Sequence, residues 1–157
     1  MSQICGWAGP EEIYIKYHDC EWGVPVYDGR LLWQMLVLES FQAGISWIMI
    51  LRRRKGFFQA FERLDPNVIA TWGEAEVKKL LLDKRIIRHR GKIEATLANA
   101  RAWQKLEAGV GFSNLLWAAV DGRAVQNNWH HKSDVPAETV ISLKLSAKLK
   151  AEGFRFC

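Results

Sequence analysis

Cysteine is scarce in this chain. Cys5, Cys20 and Cys157 are the only three, and they are too irregularly spaced to form a disulfide framework. In a reducing compartment they are free thiols or metal ligands. No apolar run approaches the roughly 18 residues a membrane span needs. The opening MSQICGW also lacks the charged and apolar regions of a signal peptide. The expectation is a cytoplasmic protein without a membrane partner. Linkers, internal repeats and low-complexity tracts are missing as well, which excludes a modular or repetitive chain. Strand-like alternation is almost absent. Cations are scarce at first: residues 1–50 hold only Lys16 and Arg30 against six acids, whereas residues 51–157 hold the other 20 cations and 11 acids. The two parts therefore carry −4 and +9. Such asymmetry fits a protein that holds a phosphate backbone with one surface while a more acidic surface does something else. A merely solvated basic face fits it equally well.

What is present is ordinary globular composition, 49% hydrophobic and 25% charged, enough for one domain over residues 1–157 with a core that needs no disulfides. Eight tryptophans are too many to bury completely, because each is bulky and each indole N–H wants a partner; some are expected to line a cleft. Helical signals dominate. Asp28 is a plausible N-cap for LLWQMLVLESFQ, where Leu31, Leu32, Met35, Leu38 and Phe41 recur at helical spacing. That helix ends near Gly44, and Ser46 stands where it can cap a second one, WIMILRRRKGFFQAFERL, running toward Asp65-Pro66. The result is a helical hairpin turning at Ala43-Gly44-Ile45. Pro66 suits the first position of the next helix. Further helices are predicted over Glu74–Leu82; after Gly91, with Ile93, Leu97, Ala100 and Trp103 on one face; over Phe112–Val120, opened by Ser113; and over Pro136–Glu152, stopped by Gly153. The fold class is all-α.

Three groups of residues carry chemistry. The first is CGW…YIKYHDCEWG. A helical turn puts Tyr14 and Tyr17 on one side, where their faces can flank a flat guest or simply form a small aromatic core. Cys5 and His18 are possible zinc donors, but a structural site wants four, and a buried thiol with a hydrogen-bonded histidine is the blander alternative. The second group is LESFQAGISW, in which Glu39 interrupts an apolar stripe ahead of Trp47. Beside aromatic walls this carboxylate can accept a hydrogen bond from an exocyclic amine and favour a cationic guest; otherwise it is an exposed helix carboxylate. The third is KRIIRHRGK at 84–92, where Arg88, Arg90 and Lys92 surround a helix start and can converge on phosphate, with RRRK at 52–55 as a second basic run. A solvated basic face is the alternative for either run.

Together these residues resemble the 3-methyladenine DNA glycosylase I family of the helix-hairpin-helix superfamily. The likeness rests on CGW at 5–7, YIKYHDxEWGVP at 14–25, LExFQAGISW at 38–47 and IIRHRGKI at 86–93, and continues weakly to GFRF at 153–156. It implies the compact helical glycosylase fold of that superfamily and hydrolysis of the N-glycosidic bond of 3-methyladenine in alkylated double-stranded DNA, with the free base as product and the enzyme a monomer. By motif position it implies that Tyr17 and Trp47 stack on the flipped base, that Tyr14 lines the pocket, and that Glu39 hydrogen-bonds the base as the catalytic-site carboxylate. It further implies that Gly44-Ile45 wedges into the duplex and that Cys5 and His18 are two of four zinc ligands.

The resemblance also carries an expectation of incompleteness. The family's chain continues past GFRF into the second helix of a DNA-binding hairpin and a tail that supplies a histidine and a cysteine to zinc. Here the sequence stops at Cys157, and neither Cys20, His130, His131 nor Cys157 is recommended as a substitute ligand by its spacing. A non-catalytic helical DNA- or base-binding module that keeps the pocket is therefore the second hypothesis, and a metal-dependent hydrolase a distant third.

Overall fold

A computed structural model describes residues 5–157, and among them the secondary structure is entirely helical. The elements are α1 (Glu12–Cys20), α2 (Gly29–Gln42), α3 (Trp47–Ala60), α4 (Pro66–Ile69), α5 (Glu74–Leu82), α6 (Arg90–Glu107), α7 (Phe112–Ala118) and α8 (Val140–Ala151). Short 3₁₀ turns cover Glu62–Leu64 and Lys132–Asp134.

The helix starts follow local chemistry. Asp28 accepts hydrogen bonds from the backbone N–H groups of Arg30 and Leu31, which satisfies two of the unpaired donors opening α2. Asp65 accepts from Asn67 N–H, with Pro66 at the first position of α4, where its missing N–H costs nothing. Several helix ends and caps differ from expectation. Helix α3 ends at Ala60 because Glu62, Arg63 and Leu64 all take positive φ, a left-handed turn that a continuing helix cannot contain. Helix α8 begins at Val140, four residues after Pro136: Thr139 accepts from Ser142 N–H and Ser142 Oγ accepts from Thr139 N–H, a reciprocal cap that sets the start. Ser113 does not open α7. Gly111 precedes it, and Ser113 Oγ donates instead to the carbonyl of Tyr27.

Helix α6 runs through the centre and packs against α2, α4, α5 and α7. Its predicted face is the buried one: Ile93, Leu97, Ala100 and Trp103 are all inside. Around it lie Trp33, Phe41, Phe57 and Phe61, none with any exposure. The indole of Trp33 donates to Leu64 O at 2.9 Å, so its buried N–H is satisfied. Two contacts position the rest. Gly56 lets α3 approach the loop before α6 so closely that a Cβ there would lie 2.6 Å from Arg85 O. At the far end, Asn99 exchanges two hydrogen bonds with the Arg155 backbone, and Phe154 stacks on Phe112. This ties the GFRF segment to α6 and α7.

Candidate base-binding site

The hairpin predicted from the sequence forms the heart of the site. Helices α2 and α3 pack against one another and α1 packs on α3. Trp47, the first residue of α3, meets Tyr17 of α1 with ring centroids 5.4 Å apart and planes tilted by 56°. Both rings are buried. Burial, and after it the nearby charge of Glu39, pushes the Tyr17 hydroxyl up to about 12, so it stays protonated and serves as a neutral wall. Tyr14, one turn earlier on α1, is half-buried and packs edge-on against Trp7 at 5.4 Å. Burial raises its pKa as well.

Glu39 combines two properties. It keeps an open route to solvent, yet the atoms crowded around it raise its carboxyl pKa by desolvation. Glu39 is thus exposed on α2, one of the two placements the sequence left open. The carboxylate makes no ion pair among the described residues, so its charge is available to a guest. The indole N–H of Trp47 is buried without an acceptor among the described residues. A cleft of about 580 Å³ shares Tyr17 and Leu38 but not Tyr14, Glu39 or Trp47; its lining is mainly apolar, with the Glu21–Arg54 ion pair among its polar groups.

The possible zinc donors divide. His18 has the geometry of a ligand: Nδ1 lies 2.8 Å from the Asp19 carboxylate, which fixes the ring, while Nε2 is buried with no partner among the described residues. Trp7 and Trp22 pack against that imidazole, at 5.1 and 5.7 Å. Cys5 is exposed two residues before Trp7. Among the described residues no group of three or more ligating side chains forms. The residues present therefore provide at most two donors and do not make a tetrahedral site by themselves.

The basic runs are deployed differently from expectation. Lys92 is buried, 6% exposed, and its Nζ donates to the carbonyl oxygens of Phe41 and Ala43. It supports the hairpin turn and does not present its charge to a phosphate. Arg90 is exposed but forked onto Glu74 and Glu94. Arg88 is exposed and has no ion-pair partner among the described residues. In the 52–55 run, Arg52 pairs with Glu11 and Arg54 with Glu21. These partners lie 41 and 33 residues away in sequence, and no local pattern announces them. Gly44, at φ +82, and half-buried Ile45 form the turn between α2 and α3, next to Trp47.

The likeness to known proteins extends over the chain that holds this site. Residues 7–157 match the family described as methyladenine glycosylase. DNA-3-methyladenine glycosylase 1 of Escherichia coli K12 is 41% identical over 153 residues, which is 97% of this chain and 82% of that protein. A crystal structure of 3-methyladenine DNA glycosylase I superposes with a TM-score of 0.96 at 42% identity, covering 98% of this chain and 85% of the other. The Staphylococcus aureus 3-methyladenine DNA glycosylase I, whose structure addresses recognition of 3-methyladenine, gives 0.93 at 34% identity over 97% of this chain and 81% of its own. With its helical fold shared with these structures and the family matched over residues 7–157, the chain belongs to the methyladenine glycosylase family.

Proposed function

We propose that this protein is a DNA-3-methyladenine glycosylase that removes 3-methyladenine from alkylated double-stranded DNA and releases it as the free base. The observation that carries the reading is the Tyr17–Trp47 pair, two buried rings 5.4 Å apart, with the unpaired carboxylate of Glu39 close enough to act on Tyr17. Methylation at N3 gives the adenine a positive charge. Extruding the nucleotide costs a few kcal/mol, which stacking and cation–π contact with Tyr17 and Trp47 offset in part. Glu39 accepts a hydrogen bond from the exocyclic amine, and its negative charge selects the cationic lesion over neutral adenine. The N-glycosidic bond then breaks with its electron pair passing to the base, which becomes neutral; water adds to the sugar carbon and loses a proton. Because the leaving group is already activated, the pocket need only bind and orient it. Glu39 is thus chiefly a recognition residue in a site with little acid–base machinery.

The same reading places Gly44-Ile45 at the duplex, filling the gap the flipped nucleotide leaves, with Arg88 as a phosphate contact and Arg90 able to exchange an exposed carboxylate partner for a phosphate. It describes one helical glycosylase domain acting as a cytoplasmic monomer. No described helix is long and apolar enough to cross a membrane. Cys5 and His18 are proposed donors to a structural zinc, a reading supported by the oriented, unpartnered Nε2 of His18; zinc plays no part in the base-release step. Metal analysis of the purified protein tests it: bound zinc that is lost in Cys5→Ser and His18→Ala supports the assignment, and metal-free active protein overturns it. For the function itself, chromatography of bases released from methylated duplex DNA is decisive. A 3-methyladenine peak that grows with incubation supports a glycosylase; tight binding of methylated DNA without release assigns a non-catalytic module.

A further inference from the structure

Helix α1 carries one wall of the pocket, yet it is poorly anchored. It has nine residues, of which Tyr17 alone is buried. A helix this short is marginal by itself and takes its position from tertiary contacts. The apolar contacts here are few, and the polar ones are concentrated at its two ends. Glu11 directly precedes its first turn and Glu21 directly follows its last. Arg52 forks onto Glu11, Nε lying 3.0 Å from Oε2 while Nη2 meets Oε1. Arg54 forks onto Glu21 at 2.5 and 2.9 Å.

Both arginines belong to α3. Residues two apart on a helix leave it about 200° apart, so the two grips fall on opposite sides of α3. Tyr17, which lies between Glu11 and Glu21 in the chain, meets Trp47 at the start of the same helix α3. We propose that the Arg52–Glu11 and Arg54–Glu21 pairs form a two-point clamp that sets α1 against α3 and so fixes how Tyr17 sits against Trp47 in the aromatic wall that meets the base. The four residues are positioning residues for base recognition. The proposal rests on the pocket reading above. Planar bidentate forks suit this task because they fix orientation as well as distance. The Arg54–Glu21 pair is the more sheltered, with side chains 31% and 36% exposed against 53% and 41% for Arg52–Glu11, so it carries the larger share.

The test measures affinity for free 3-methyladenine by tryptophan fluorescence, affinity for a duplex containing an abasic-site analogue, and the melting temperature. Arg54→Met is expected to weaken binding of the free base roughly tenfold, equivalent to about 1.4 kcal/mol. Its affinity for the abasic duplex should stay within about twofold, since that ligand lacks the base. Arg52→Met is expected to follow the same pattern with a smaller loss. Glu21→Gln keeps the arginine and the side-chain volume; it supplies the same reading if Arg54→Met does not fold. Wild-type affinity for the free base in Arg54→Met or Glu21→Gln overturns the clamp, as does equal weakening toward both ligands, which marks a general structural role. A wild-type protein that does not bind the free base overturns the pocket reading itself, a result distinct from either of these.

Discussion

The Nζ of Lys92 lies 2.5 Å from the carbonyl oxygen of Ala43 and also donates to Phe41 O at 2.8 Å. A cation from the first turn of α6 thus closes the C-terminus of α2, where unpaired carbonyls carry the negative end of the helix dipole. Ala43 directly precedes the Gly44-Ile45 turn, and Glu39 sits one turn earlier on α2. Two parts of the site, the carboxylate and the hairpin tip, therefore rest on one buried ammonium. Burial lowers its pKa, yet the two carbonyls hold it in place.

Lys92→Met should leave both carbonyls without their donor, at a cost of about 1–3 kcal/mol. Thermal melting reads this as a drop of roughly 2–4 °C per kcal/mol for a chain of this size. Base release from duplex DNA should fall further than binding of the free base, because the hairpin tip is displaced more than the aromatic walls. An unchanged melting temperature would show that the contact is dispensable.

Glu39→Gln should separate binding from stability. The carboxyl pKa is raised by burial, so ionised Glu39 is less favourable in the folded chain than in the unfolded one. Its contribution to stability is full below the unfolded pKa and is lost as pH rises through the folded value. At neutral pH the glutamine variant should accordingly be at least as stable as wild type while binding 3-methyladenine more weakly. Wild-type affinity should decline on acidification through the raised pKa, whereas that of the variant should stay level over the same window. Parallel titrations and melts across that window check both halves.

Gly56→Ala places a methyl group 2.6 Å from Arg85 O and 2.8 Å from Arg85 Cβ. Backbone on the opposing side cannot simply rotate away, so a loss on the order of 1–3 kcal/mol is expected. Chemical denaturation measures it. A neutral result would mean that α3 and the 83–87 loop are free to separate.

Arg88→Ala should weaken duplex binding and reduce the salt dependence of log K by about one phosphate contact. Lys92→Met should leave that slope unchanged, since its ammonium is buried on the carbonyls of Phe41 and Ala43 and meets no phosphate. Binding isotherms at several salt concentrations distinguish the two cations.

Much of this molecule is legible in its sequence because the deciding interactions are local. Asp28 and Pro66 announce α2 and α4 within a few residues, and the apolar stripe of α6 runs through Ile93, Leu97, Ala100 and Trp103. Tyr17 and Trp47 stand in short motifs, and their rings meet in the structure. Long-range pairing is not. The basic runs read as phosphate contacts until Lys92 is seen under the hairpin and Arg52 and Arg54 on α1. The left-handed turn at Glu62–Leu64 is hidden for a related reason: none of its residues is a glycine, and surrounding packing holds the backbone there.

The central claim is that Tyr17, Trp47 and Glu39 form a pocket that binds and releases a cationic base. Single-turnover release of 3-methyladenine from methylated duplex DNA, compared between wild type and Trp47→Ala, tests it most directly. The account predicts release by the wild type and a loss on the order of tenfold or more in the variant, equivalent to at least about 1.4 kcal/mol. No release from the wild type, or equal release from both proteins, would contradict it.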